Sequence, residues 1–478
     1  MNRLSHTLLL AGAAASVAIQ PAMAWPSWPR LLSVGPKYQA PAPAPVDLVP
    51  ADPRVTTAQP AAPAWWQAFG DPELNALIVR GLSANLDIRI ALDRVGQARA
   101  LFHRSQLDFL PHVGTEASYA RSHEQQPGFT SSPVDIEQAD IGFDATWEVD
   151  IFGRVRHQVE SARADADAAR EDLRGAQVLV TAEIARNYLL LRGAQARRAV
   201  AEENAQTARD TLHLTQVRTE VGTGDPVDVE SARARLNATE AAIPPLRSEE
   251  AQAAHRLAVL VGARPGELDA ELAAPSAGLT APAAVPIGDA ANFLRQRPDV
   301  RAAERRLAAE TANTGVATAD LFPQINVTGF VGFLSGDVSS LFSKGSHAWA
   351  VSPTVTWPGL DLGSAQARLR AQKAKQDESL ATYDKTVLTA IEDLQNAIVA
   401  YRERQLEVVS LSQQVGAARR AADLAQIRYK EGRIDFLRVL DAERTRLEAE
   451  DALTAAQTNA NVDVVSIYRA LGGDVVGT

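Results

Sequence analysis

The chain has 478 residues, with 48 Lys and Arg against 58 Asp and Glu, for a formal net charge of −10. No basic cluster marks a nucleic-acid partner, and the absence of cysteine excludes disulfides, cysteine-based zinc sites and thiol nucleophiles. Aromatic residues make up only 5%, whereas Ala, Arg, Glu, Gln and Leu abound, a balance that favours long helices over a compact mixed fold.

Arg3, an apolar run over 8–19 and Ala22-Met23-Ala24 form a secretory signal peptide (residues 1–24), with cleavage expected after Ala24. No later segment reaches ~18 consecutive apolar residues, so no transmembrane helix is expected. An exported chain of this kind is either soluble in the periplasm or a β-barrel. Residues 25–64, rich in Pro and Ala, form an extended arm.

A first unit spans 65–262. Trp65, Trp66 and Phe69 open it, and Asp71-Pro72-Glu73 supplies a helix N-cap, a proline at the first helical position and an acidic first turn. Helical pattern stops at Pro111. Over 140–150, Ile141, Phe143, Ala145, Trp147 and Val149 alternate with Asp140, Gly142, Asp144, Thr146, Glu148 and Asp150, a two-residue period that predicts a strand. A partner strand is expected near 113–121, the two strands being near 113–121 and 139–150, with a polar loop over 121–138. A proline-free helix then runs to Val221, a Gly-containing tip lies near 221–229, and the return helix breaks at Pro244-Pro245.

After a Pro/Ala-rich linker (263–286) the programme repeats over 287–471, with strands near 324–334 and 347–357 and a tip near 431–439, followed by a loose tail at 472–478. The tips correspond: subtracting Gly222 from Gly432 gives 210, and the same offset carries Asp225 onto Asp435 and Val229 onto Val439. Asp108-Phe109-Leu110-Pro111 recurs as Asp320-Leu321-Phe322-Pro323 at an offset of 212. The chain is therefore two similar halves.

Each half contributes two strands of bilayer-crossing length. Only closed barrels cross a membrane as β-structure, and closure takes about eight strands or more. Four strands cannot close, so transmembrane strands require oligomerisation through the sheet edges; three copies give twelve strands and a usable lumen. Asp140, Asp144, Glu148 and Asp150 then line that lumen, and Trp147, Trp349 and Trp357 are candidates for the aromatic girdle.

These residues resemble the TolC/OprM-type outer-membrane efflux channels, the outer-membrane factors of tripartite multidrug pumps, in their NodT-like subfamily. The matching stretches are Val34-Gly35-Pro36, Trp65-Trp66 with Phe69-Gly70-Asp71-Pro72, and Trp147-Glu148 with Asp150 and Phe152-Gly153-Arg154. Others are Arg297-Pro298-Asp299-Val300, Phe322-Pro323, Pro358 with Asp361 and Gly363, and Tyr429 with Gly432, Leu437 and Leu440-Asp441-Ala442. The resemblance implies a mainly α fold with a β-barrel part: a homotrimer whose twelve-stranded barrel continues into a periplasmic α-barrel. It implies a passive conduit for drugs or other small molecules, with an inner-membrane pump, expected to be proton-driven, and a periplasmic adaptor docking at the helical tip. The location implied is the outer membrane, in contact with its lipid. Members of this subtype carry a lipidated cysteine just before Val-Gly-Pro; here Leu32 and Ser33 occupy that region, so no lipid anchor is expected.

The resemblance also implies a periplasmic gate at Leu437, Asp441 and Arg444, whose spacing places them on one helical stripe. Val227, Ser231 and Ala234 occupy the corresponding first-half positions. The turns Val221-Gly222-Thr223 and Glu431-Gly432-Arg433 are expected to face the adaptor. No ligand spacing links His103, His112, His123 and His157, and no phosphate loop or G-x-S-x-G elbow occurs, so no enzyme, metal or cofactor is expected. A protein-secretion tunnel or metal-efflux channel shares these features, as does, in its helical hairpins alone, a periplasmic coiled-coil scaffold.

Overall fold

The computed structural model of the chain describes residues 32–42, 55–59, 63–125, 128–129, 131–274, 282, 284–288 and 293–473. The expected signal peptide with its cleavage point after Ala24, and residues 474–478 of the expected tail, lie outside the described residues.

In chain order, β1 (Thr56–Thr57) precedes α1 (Pro72–Ala84) and α2 (Leu86–Leu107). Asp71 caps α1 by accepting from the Glu73 and Leu74 N–H groups, and Asn85 caps α2 in the same way through Asp87 and Ile88. The hairpin β2 (His112–Glu124) and β3 (Val134–Val149) follows, then α3 (Arg154–Glu220), α4 (Pro226–Ala241) and α5 (Ile243–Leu260). Next come α6 (Asp269–Leu272), β4 (Val285–Pro286) and α7 (Phe293–Gln296). The second half is α8 (Pro298–Ala319), β5 (Gln324–Ser335), β6 (His347–Thr356), α9 (Leu362–Lys430) and α10 (Phe436–Leu471).

The four long strands form one antiparallel sheet in the order β2-β3-β5-β6. Register is continuous, so cross-strand partners share a face. One face carries Val113, Phe143, Ile141, Val327, Val331, Phe333, Trp349, Val351 and Val355; the other carries Glu116, Ser118, Asp140, Asp144, Asn326, Thr328, Ser352 and Thr354. Along β2 and β6 almost every residue is exposed, because no helix covers either face. β2 and β3 reach past the expected strand ends into residues 122–124 and 134–138. The polar ends stay paired because Arg121 meets Glu137 at 3.4 Å and His123 meets Asp135 at 2.8 Å across the ladder.

α3 and α9 have 67 and 69 residues, each about 100 Å long at 1.5 Å per residue. Near the sheet they lie with α2 and α8 in the order α2-α3-α8-α9; towards the tips the row is α4-α3-α10-α9. Small residues set the spacing: Ala164, Ala308 and Ala309 are buried together between α3 and α8. Midway along the helices sits the main core, where Trp65, Trp66, Leu74 and Ile78 pack with Tyr188, Leu257, Leu394, Tyr401, Val464 and Tyr468. Here β1 pairs in parallel with β4. The stretch 263–286, expected as bare linker, forms α6 as well, because Leu268 and Leu272, four apart, both bury into this core.

Candidate functional site

The candidate site is a surface rather than a pocket: the polar face of the sheet, its junction with the helices, and the two helical tips. On the sheet, the period-two alternation puts Asp140 and Asp144 on the polar face with Glu116. Ser118 Oγ donates to Asp140 Oδ1 at 2.6 Å, whereas Asp144 Oδ2 is enclosed without a hydrogen-bond partner. Phe330, directly across from Asp144, is the one aromatic residue of the four strands on this face. Its ring lies over Gly142, where a Cβ would come within 2.5 Å of Phe330 Cε2. Glycine at 142 thus lets the ring lie flat against the wall, and Phe330 was missed in the sequence because residues 329–334 of its strand are apolar on both faces, which hides the alternation there.

At the junction, Glu148 forms a two-pronged ion pair with Arg154, and the Asp150 carboxylate accepts from the Val155 and Arg156 N–H groups at 3.1 Å each. The hydrogen bonds to Glu148 hold the Arg154 guanidinium above its ordinary pKa against the opposing effect of burial. Asp150 is the N-terminal cap of α3 in all but name, since Gly153 at the formal cap position has no side chain to offer. Of the four acidic residues expected to line a lumen, Asp140 and Asp144 pair with no cation among the described residues, while Glu148 and Asp150 are engaged in turning the strand into the helix.

The two halves repeat this junction. Trp147 Nε1 donates to the Phe109 carbonyl at 3.1 Å, and Trp357 Nε1 donates to the Leu321 carbonyl at the same distance. His112 lies 3.1 Å from Asp108, and Gln324 Nε2 donates to Asp320 at 3.2 Å. Each Trp places an apolar body on the apolar face and ties its polar edge to the backbone, the arrangement expected at a membrane–water boundary.

The tips are also built alike. Gly222 and Gly432 have φ of 78° and 72°, the left-handed region that ends a helix without a Cβ clash. Thr223 N–H donates to Arg218 and Arg433 N–H to Arg428, both at 2.8 Å. Asp225 and Asp435 then cap α4 and α10. A small core joins the tips: Tyr429, Phe436, Val439 and Ala232 are buried, and the Arg218 guanidinium stacks 4.5 Å above the Tyr429 ring. Burial raises the Asp228 carboxyl pKa, and the neighbouring Asp225 charge adds to the effect against the pull of Arg218. Val221, Thr223, Glu431 and Arg433 are exposed beyond this core.

On α10, Leu437, Asp441 and Arg444 lie on one exposed stripe, opposite buried Phe436, Val439 and Glu443. Arg444 donates to Asp441 Oδ1 at 2.7 Å within the chain. The Arg297 of Arg297-Pro298-Asp299-Val300 has a structural task that its motif did not disclose. It is buried, donates to the carbonyls of Ala390 and Ala470, and pairs with Asp299 and Asp393, so it ties α8 to α9 and to the end of α10.

The sequence matches the family model described as outer membrane efflux protein over residues 77–263 and 291–473. Among relatives, it is 31% identical over 460 residues to the antibiotic efflux pump outer membrane protein ArpC of Pseudomonas putida, covering 92% of each chain. It is 32% identical over 398 residues to nodulation protein T of Rhizobium leguminosarum bv. trifolii, covering 82% of this chain and 84% of that one. Among solved structures, the outer-membrane channel OprN is 44% identical with a TM-score of 0.89, over 92% of this chain and 99% of the other. The open state of the MtrE outer membrane channel of Neisseria gonorrhoeae is 27% identical with a TM-score of 0.79, over 93% and 98%. Model, relatives and structures agree, and the chain belongs to the outer membrane efflux protein family.

Proposed function

We propose that three copies of this chain join edge to edge into a twelve-stranded barrel in the outer membrane, continuous with a helical tube in the periplasm. Through it pass small organic molecules delivered by an inner-membrane pump and a periplasmic adaptor. The observation that carries this reading is the sheet itself. It has an apolar face, a polar face and two unpaired edges, β2 and β6, and four strands are too few to close. An open edge in lipid leaves backbone N–H and C=O groups without partners, each costing several kcal/mol. A second and third copy remove every edge at once. Relatives named for antibiotic, toluene and solvent efflux support a small organic cargo. No step here is catalytic, and the barrel holds the membrane without a lipid anchor.

The Leu437, Asp441 and Arg444 stripe is the periplasmic gate in this reading, and Val221–Thr223 with Glu431–Arg433 are the surfaces offered to the adaptor. Asp140 and Asp144 lie on the sheet face turned towards the water of the barrel, one oxygen of Asp144 being enclosed within it.

The native chain has no cysteine, so introduced ones are the only thiols. With Ser118→Cys on one edge strand and Ser352→Cys on the other, a short bis-maleimide should give covalent dimers and trimers in outer-membrane fractions. Monomer alone, across a scan of neighbouring pairs on both strands, would refute edge-to-edge assembly.

A further inference from the structure

Residues 32–42 run along the sheet-proximal ends of α3 and α8. Val34 N–H donates to the Phe152 carbonyl at 3.1 Å. Gly35, at φ 109°, sits so close to α8 that a Cβ there would lie 2.8 Å from Gly315 Cα. Further along, Tyr38 Oη donates to Glu304 at 2.9 Å beneath the Arg305 guanidinium.

His157 of α3, only 5% exposed, fastens this arm. Its Nδ1 is 2.9 Å from Glu160 Oε2 and its Nε2 is 2.9 Å from the Val34 carbonyl oxygen. A carboxylate and a carbonyl both only accept. Neutral imidazole has one N–H, so either tautomer sets a nitrogen lone pair against an oxygen at hydrogen-bond distance. Imidazolium alone donates to both. Among the described residues, the charged groups that face the ring are Glu160 on its own helix and Asp150 from the end of β3. Arg154 and Arg156 are taken up by Glu148 and Asp150. α8 meets the ring with Gly315, where a Cβ would come within 2.6 Å of His157 Cγ, and the arm presents backbone.

We propose that residues 32–42 are a releasable strap, clasped to the α3–α8 pair by the imidazolium of His157 and freed when that ring loses its proton. The Glu160 carboxylate, opposed by burial and helped by the Val34 carbonyl, raises the His157 pKa above its ordinary 6.5. A group whose pKa is raised in the clasped state favours clasping fully below its free pKa. That contribution is lost as pH rises from about 6.5 through the clasped value, at most about tenfold in the clasping constant per pH unit.

Hydrogen exchange at the Val34 amide, whose N–H donates to the Phe152 carbonyl, tests this on the full-length protein in detergent, from about pH 5 to about pH 9, corrected for intrinsic exchange. Protection of this amide should fall by up to about tenfold per pH unit through the transition while amides within α8 hold steady. His157→Gln should abolish the transition, and Glu160→Gln, a change at a half-exposed position, should move its midpoint to lower pH. Should His157→Gln not fold, Glu160→Gln decides. A flat wild-type profile, an unchanged slope in His157→Gln or an unmoved midpoint in Glu160→Gln would each overturn the clasp.

Discussion

At the scale of single residues, the exposed stripe on α10 proposed as the gate holds one charge pair. Asp441 and Arg444 are about two-thirds and just over half exposed, and their bond is an i, i+3 contact on a helix surface. Such pairs contribute about 0.3–0.5 kcal/mol. That is small enough for Arg444 to exchange its own Asp441 for one on a neighbouring subunit when three stripes converge. Three carboxylates brought together repel unless a cation or water lies between them. On the proposal that this stripe is the gate, Asp441→Ala should loosen the constriction and raise single-channel conductance in planar bilayers. An unchanged conductance would remove Asp441 from the gate. Phe330 poses the opposite case. Because Gly142 lets its ring lie flat, Phe330→Ala should leave conductance near the wild-type value; a marked rise would show that the ring already projects into the path.

At the scale of elements, the period of the apolar residues made the strands legible. Ile141, Phe143, Ala145, Trp147 and Val149 alternate because one face meets an apolar medium and the other water. The polar strand ends at 122–124 and 134–138 escaped that test, since the side chains that meet there, Arg121 with Glu137 and His123 with Asp135, are polar on both strands and show no alternation. Contacts between distant residues were equally hidden. Nothing in the local pattern around His157 points to Val34, 123 positions earlier. Arg297 appeared only as part of a motif, because its partners lie on two other helices. The duplicated tryptophan bond was within reach: an offset of 210 links Trp147 to Trp357, and one of 212 links the segments whose carbonyls they meet. Trp147→Phe and Trp357→Phe keep the aromatic body and remove the N–H donor. Each should cost about 1 kcal/mol, read as a lower temperature for loss of the heat-stable oligomer on gels, and the double variant should lose about the sum because the sites are in separate halves. No shift in either single variant would reduce these bonds to incidental contacts.

At the scale of the whole molecule, one chain leaves a great deal uncovered. α9 lies at the edge of the helical row along its full length, and Leu388, Leu406, Val409, Leu424 and Ile427 on it are exposed in the single chain. Apolar residues scattered singly are ordinary on a protein surface, but these lie on the edge helix that closure with further copies would cover. The neighbour's α2 and α4, at the opposite edge of the row, are the surfaces that three-fold closure would bring to it. Leu388→Glu, at 68% exposure in the monomer, should leave the chain folded yet weaken or abolish the trimer in size-exclusion chromatography with light scattering. A trimer of wild-type stability would mean that α9 faces water.

The unbroken length of α3 and α9 has a mechanical consequence. Each is a rod of about 100 Å with one end set in the sheet junction and the other at a glycine tip. A sideways displacement of about 5 Å at the free end corresponds to about 3° of tilt at the fixed end of a lever that long. Long helices absorb that much as gentle curvature without breaking hydrogen bonds. The tips can thus swing by several ångströms while the membrane-embedded wall stays still, so a periplasmic partner could work the far end without loosening the seal in the bilayer.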